Sequence, residues 1–137
     1  MPVFYADASA LVKLARDEAE SASLSAYLAA ADLVSSELAL AEVPRALRRA
    51  VAMESELPLE VLRERADELF DGVSLRPIDH DVLLGAGALA EPFLRTLDAI
   101  HVTTALYLSP IEAFVTYDER QAAAARLAGL RTVAPGA

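Results

Sequence analysis

The 137-residue sequence has no cysteine. That excludes a disulfide-stapled scaffold, a thiolate zinc site and a cysteine nucleophile, and it fits a reducing compartment. Long apolar runs are missing as well, since none approaches the roughly 20 residues that span a bilayer. The N-terminus, Met1-Pro2-Val3-Phe4-Tyr5-Ala6-Asp7, has no basic region and meets an acid at once, so no secretory signal is expected. No linker, repeat or low-complexity stretch interrupts the chain. These absences make a soluble, cytoplasmic protein with no membrane partner the expectation. Basic residues are scarce: 12 Lys and Arg face 21 Asp and Glu, for a net charge of −9. Taken alone, that deficit argues against nucleic acid, whose binders usually carry a basic footprint. Metal cations neutralising an acidic cluster, or a basic partner covering the acidic surface, would answer the objection.

What is present is apolar and regularly punctuated. Hydrophobic residues make up 55% of the chain, enough for a packed core. The length suits one domain over residues 1–137, burying about two-thirds of its unfolded surface. Val3 to Ala6 reads as a buried strand. Ser9 is placed to cap a helix with Leu11, Leu14 and Ala15 inward. Leu24, Tyr27, Leu28 and Ala31 mark a second helix, and Leu33-Val34 a brief strand. Ser35 or Ser36 caps a third helix reaching about Met53, in which Pro44 should impose a kink or a division. Leu57-Pro58 opens a fourth, which Asp71-Gly72 stops. Val73 to Ile78 alternates like a strand. Asp79 caps a helix through Ala90, where Gly85 and Gly87 either weaken the helix or permit close packing. A helix from Thr96 or Leu97 to Ser109-Pro110, a strand over Ala113 to Thr116, a helix from Glu119 to Ala128 and a short strand at Thr132-Val133 complete the chain. The alternation implies an α/β fold around a small, mostly parallel sheet of about five strands.

Four acids stand where surface acids usually do not. Asp7 ends the first strand and Asp118 follows a later one, at the carboxyl edge where parallel sheets bind ligands. Glu42 is the lone charge in Leu38-Ala39-Leu40-Ala41-Glu42-Val43. Asp98 is bracketed by Leu97 and Ala99-Ile100. Each has an ordinary alternative: Asp7 or Asp118 as a helix cap, Asp98 as a charge on a helix dipole, Glu42 paired with Arg45. Jointly they suggest a cluster that repels itself unless a hard cation sits among the carboxylates. Mg2+ or Mn2+ suits such oxygen donors, and the matching chemistry is phosphodiester hydrolysis.

Five segments, in order, resemble the PIN-domain ribonucleases. Phe4 to Leu14 resembles the opening of that family, with Asp7 ending a strand and Ser9 supporting the metal site. Ser36 to Val43 resembles the helix with its Glu. Leu97-Asp98-Ala99-Ile100-His101-Val102-Thr103-Thr104-Ala105 resembles the Leu-Asp-Ala-x-His-x-x-x-Ala helix. Phe114 to Asp118 resembles the strand ending in Thr-x-Asp, and Gly129 to Val133 the closing strand. The resemblance implies a PIN fold, Mg2+ or Mn2+ dependence and endoribonuclease activity. It implies metal-site and catalytic roles for Asp7, Glu42, Asp98 and Asp118, with Ser9 and Thr116 in support. At this length the chain resembles the VapC toxins of toxin–antitoxin pairs. That suggests a homodimer, a VapB-like antitoxin partner, and an RNA substrate such as transfer or ribosomal RNA.

Leu38, Glu42, Arg45 and Arg49 fall on one side of an ideal helix, so Arg45 and Arg49 are candidate phosphate-binding residues beside Arg48. A salt bridge or a solvated face is the ordinary alternative. His101 shares a helix face with Asp98, as base, ligand or packed hydrogen-bonding residue. Tyr5, Tyr27, Tyr107 and Tyr117 read as core or rim. The apolar faces of the second to fourth helices suit either the core or an antitoxin helix. Competing functions are an RNA-processing nuclease that is not a toxin, a receiver- or phosphatase-like domain phosphorylated on Asp7, and a cation-binding interaction domain without catalysis. Asp7-Ala8-Ser9 lacks the second Asp of a phosphatase nucleophile motif.

Overall fold

The computed structural model describes residues 1–137. In chain order the elements are β1 (Val3–Ala6), α1 (Ala8–Ala15), α2 (Ser21–Leu28), β2 (Asp32–Ser36), α3 (Ala39–Met53), α4 (Leu59–Asp71), β3 (Val73–Arg76), α5 (His80–Gly87), α6 (Thr96–Leu108), β4 (Ala113–Val115), α7 (Glu119–Leu127) and β5 (Thr132–Val133). The five strands form one sheet in the order β3-β2-β1-β4-β5. Every pairing is parallel, so the sheet is wholly and not mostly parallel. No helix is long and apolar enough to cross a membrane.

Strand alternation divides the core. Phe4, Ala6, Ala113 and Val115 point to one face, where they pack with Leu11, Leu24, Val43, Leu47 and Leu62 of α1 to α4. Tyr5 and Phe114 point to the other, against Val102 and Ala105 of α6 and Ala124 and Ala125 of α7. Tyr5 stacks on Phe114 with ring centroids 5.0 Å apart. A parallel sheet covered on both faces demands strands without polar alternation, and β1 and β4 are apolar throughout.

Several boundaries differ from those the sequence suggests. Ser35 and Ser36 still belong to β2; the Ser35 hydroxyl donates to the Ala6 carbonyl at 2.6 Å, and Ser36 Oγ accepts from the Leu38 amide. Pro44 lies inside α3, which runs on to Met53. The amide that Pro44 lacks would have met the Leu40 carbonyl, and Leu40 is an exposed residue. β3 stops at Arg76 because Pro77 brings no ladder donor. α5 ends at Gly87 rather than Ala90. Gly129 ends α7 with φ +96°, and its neighbour Leu130 returns an amide to the Ala125 carbonyl.

The two glycines of α5 differ in their surroundings. A Cβ at Gly85 would stand 2.8 Å from Thr103 Cγ2 and 3.2 Å from the Tyr107 hydroxyl oxygen, whereas one at Gly87 would meet nothing within 4 Å. Gly85 is therefore the close approach of α5 to α6. In urea denaturation Gly87→Ala should gain up to about 1 kcal/mol from helix propensity. Gly85→Ala should lose about 1–2 kcal/mol, overpacking outweighing the same gain. A higher midpoint for Gly85→Ala than for Gly87→Ala would refute this packing.

Candidate active site

The strand order fixes where a ligand can enter. After β1 the chain builds β2 and β3 on one side, then returns to place β4 and β5 on the other. A crevice therefore opens at the carboxyl ends of β1 and β4. Asp7 follows β1 directly and is 1% exposed. Its Oδ1 accepts from the Ser9 hydroxyl at 2.6 Å and the Ala10 amide at 3.1 Å, and its Oδ2 accepts from the Thr116 hydroxyl. Asp7, not Ser9, is thus the cap of α1. Ser9 faces across the crevice, where its oxygen accepts from the Tyr117 amide at 2.9 Å. Thr116 Oγ1 accepts from the Asp118 amide at 3.1 Å. Together these bonds tie the end of β4 to the end of β1. Burial pushes the Asp7 carboxyl above the ordinary carboxylate range, against the opposing bonds from Ser9 and Thr116.

The other three acids surround the same opening. Asp118 caps α7, its Oδ1 accepting from the Arg120 and Gln121 amides at 2.9 and 3.2 Å. Asp98 lies in the first turn of α6, where the helix dipole favours a negative charge. Its carboxyl is nevertheless raised, first by burial and then by the charge of Asp118, with smaller contributions from Asp7 and Glu42. Glu42 lies in the first turn of α3. Its partner is His101, with Nε2 2.5 Å from Glu42 Oε1, and not Arg45. The buried His101 ring meets the Tyr5 hydroxyl at Nδ1, 2.7 Å away. An ionised carboxylate only accepts, so the Nε2 proton belongs on the Glu42 side and Tyr5 donates to Nδ1. His101 is therefore a packed, hydrogen-bonded residue that orients Glu42.

Asp7, Glu42, Asp98 and Asp118 line one cleft of about 610 Å3, together with Ser9, Arg45, Arg49 and His101. Thr116 lies buried beneath it. Arg48 points elsewhere, to a groove between α3 and α4. Tyr117 stands at its rim as the sequence suggested, and three polar lining residues were not singled out from the sequence: Lys13, Glu18 and Gln121. Gln121 is buried and donates from Nε2 to the Asp98 carbonyl at 3.1 Å, joining α7 to α6. Its signal was the spacing Asp118-x-x-Gln121, a capping-box pattern. Lys13 is drawn in by Glu20, 2.9 Å away, and lies over the Tyr117 ring.

The donor set suits a hard divalent cation. It offers carboxylate oxygens and no sulfur, and its one imidazole is committed at both nitrogens. Burial is the main cause of the rise at Asp98, and the neighbouring charge of Asp118 adds a repulsion that a cation would relieve. No three of the acidic and histidine side chains converge on a single ligand point. An ion held here would therefore keep several of its waters and take few carboxylates directly, as Mg2+ and Mn2+ do.

The PIN domain family model matches residues 4–127. The chain belongs to the PIN-domain family. This PIN domain is 40% identical to Ribonuclease VapC46 of Mycobacterium tuberculosis over 98% of its own length and 99% of that protein's. It is 36% identical to Ribonuclease VapC47 of the same species, covering 98% of each chain. Among solved structures it resembles VapBC2 from Rickettsia felis bound to a promoter DNA fragment, with a TM-score of 0.70 and 12% identity over 97% of this chain and 98% of that one. It also resembles PAE2754 from Pyrobaculum aerophilum, with a TM-score of 0.66 and 19% identity over 96% and 84%. At those identities the structural likeness concerns the fold.

The raised carboxyls of Asp7 and Asp98 have a consequence for the metal-free PIN domain. Between the unfolded and the higher folded pKa, the folded state holds more protons, so stability falls as pH rises through that window. Asp7→Asn keeps the shape and removes the buried charge. In chelator, thermal melts should show Asp7→Asn more stable than wild type at pH 7, with the gap closing below the ordinary carboxylate pKa. A variant less stable than wild type at pH 7 would show that the Ser9, Ala10 and Thr116 bonds outweigh the burial.

Proposed function

We propose that this PIN domain is a divalent-metal-dependent endoribonuclease acting as the toxin of a toxin–antitoxin pair. Its substrate would be a cellular RNA such as transfer or ribosomal RNA. The observation that carries the reading is the cleft itself: four carboxylates from separate elements face one opening whose wall bears Arg45 and Arg49. Identity of 40% and 36% to two named VapC ribonucleases, over 98% of this chain, supports it. Asp7, Glu42, Asp98 and Asp118 are proposed as the catalytic, metal-holding acids, and Ser9 and Thr116 as their supports.

Mg2+ or Mn2+ bound there would polarise the scissile phosphate and acidify water. The chain's own residues supply position. Asp7 has accepted three bonds of the about four that a carboxylate can take, leaving one lone pair toward the cleft. Glu42 is held at Oε1 by His101 and keeps Oε2 free to accept a proton or orient a water. Arg45 and Arg49 have no carboxylate partner and are placed to hold a phosphate. Asp118 is fixed by two backbone amides, so its free Oδ2 keeps a constant direction.

Phosphorylation of Asp7 does not fit this geometry. The side chain is buried and both its oxygens already accept from the protein, so a covalent phosphoryl group would displace the Ser9 or Thr116 bond. For the partners, we place a VapB-like antitoxin segment in the groove lined by Leu40, Pro44, Leu47 and Phe70 between α3 and α4. We expect a cytoplasmic homodimer.

Purified protein incubated with total cellular RNA should give discrete fragments in Mg2+ or Mn2+. None should appear in chelator or with Asp7→Asn. Equal degradation with and without metal would sink the mechanism, and metal binding without cleavage of any RNA would favour an interaction domain. Growth arrest on expression, relieved by a neighbouring gene product, separates a toxin from a processing nuclease. Replacing His101 with Phe removes the donor to Glu42 and should cost about 10–100-fold in metal affinity or turnover, the usual effect of losing a carboxylate's orienting partner. Isothermal titration with Mn2+ reads the first and single-turnover kinetics the second. Wild-type values in both would exclude the orienting role.

A further inference from the structure

A second cleft, of about 290 Å3, meets the first at Asp98 and Asp118, which line both. Its remaining wall includes Phe93, Arg95 and Arg120. Phe93 is 87% exposed, the most exposed large apolar side chain in the protein. It sits in the loop before α6, its amide fixed to Glu91 Oε1 at 3.0 Å. An isolated exposed aromatic is ordinary. Its neighbours are not.

Six of the twelve Lys and Arg side chains form ion pairs: Lys13, Arg16, Arg63, Arg65, Arg76 and Arg131. Of the other six, Arg45, Arg49, Arg95 and Arg120 all line the two clefts. The chain has 21 acids to offer, and Asp98, Asp118 and Glu119 share the second cleft with Arg95 and Arg120. The free guanidinium groups therefore flank the acidic centre on two sides, where an external anion would complete them.

Building on the ribonuclease reading above, we propose that the second cleft binds the nucleotide next to the scissile phosphate of a single-stranded RNA. Phe93 stacks on its base, and Arg95 and Arg120 hold the adjoining phosphate. The strand then crosses the four acids from Arg45 and Arg49 to Arg95 and Arg120, and the phosphate between the two grips lies over the carboxylates. A single strand is required, because only an unstacked base can lie on Phe93; a duplex keeps its bases on one another.

The test is fluorescence anisotropy of a short labelled single-stranded RNA, with Ca2+ replacing Mg2+ and the RNA checked for integrity. Phe93→Ala should weaken binding about tenfold, as expected when one base loses its stacking platform, and Phe93→Trp should restore it. The double variant Arg95→Gln with Arg120→Gln should reduce the slope of log affinity against log salt by about 0.7 for each phosphate no longer held. A blunt duplex should be indifferent to Phe93→Ala. All these side chains are exposed, so circular dichroism should be unchanged. If both cleft variants bind like wild type while Arg45→Gln with Arg49→Gln binds weakly, the second cleft is refuted and the nuclease reading stands. If wild type neither binds nor cleaves RNA, both fall.

Discussion

Asp7 lies between β1 and α1 with almost no contact with solvent, and a carboxylate in that position has to be met by donors from more than one element. One element cannot supply enough. The α1 amides offer one bond and Ser9 another; the third comes from Thr116, 109 residues away. Because Thr116 must reach Asp7, β4 must lie beside β1 with Val115 opposite Ala6. That pairing makes the strand order reverse, and the reversal opens the crevice. Asp118, two residues beyond Thr116, then has no choice of position. Solvating one buried acid thus sets the sheet's register and carries a second acid to the site.

The opposite wall follows a similar logic with an imidazole in place of the hydroxyls. Tyr5 precedes Asp7 by two residues and points to the other face of the sheet from Phe4 and Ala6, toward α6. There it meets His101, which extends to Glu42 on α3. Three elements that share no local sequence are joined by two hydrogen bonds through one ring. A ring held at both nitrogens has one orientation, so Glu42 is presented to the cleft in a fixed direction.

Much of this was readable in the chain because a lone charge in an apolar stretch is costly wherever it falls. Glu42 and Asp98 announced themselves that way, Asp7 and Asp118 by standing at the carboxyl ends of strands, and all four line the cleft. The strands around them were legible for the related reason that a doubly covered parallel sheet tolerates no polar alternation. Partnership across the fold was not legible. Whether Ser9 or Asp7 caps α1 depends on whether Ser9 is needed by Tyr117, and that is a long-range fact. Glu42 at three residues from Arg45 is a reasonable helical pair until a histidine 59 residues away proves nearer. Pro44 does not divide α3, which runs unbroken from Ala39 to Met53. Phe93, Arg95 and Arg120 look like an ordinary surface until α6 and α7 place them beside the acids.

The net charge of −9 looks incompatible with an anionic substrate only when it is treated as uniform. At physiological salt, charges more than about 8 Å apart scarcely feel one another across water, so an approaching phosphate senses the few groups nearest to it. The clefts are lined by six acids, Glu18 and Glu119 among them, by Lys13, which pairs with Glu18, and by four arginines without carboxylate partners. A cation among the acids shifts that local balance to positive while the distant surface stays acidic. The same surface discourages non-specific association with nucleic acid elsewhere on the protein. An acidic chain with four of its six unpaired cations gathered along two adjoining clefts is therefore better suited to selecting one phosphate than a uniformly basic one, which would bind RNA anywhere along its length.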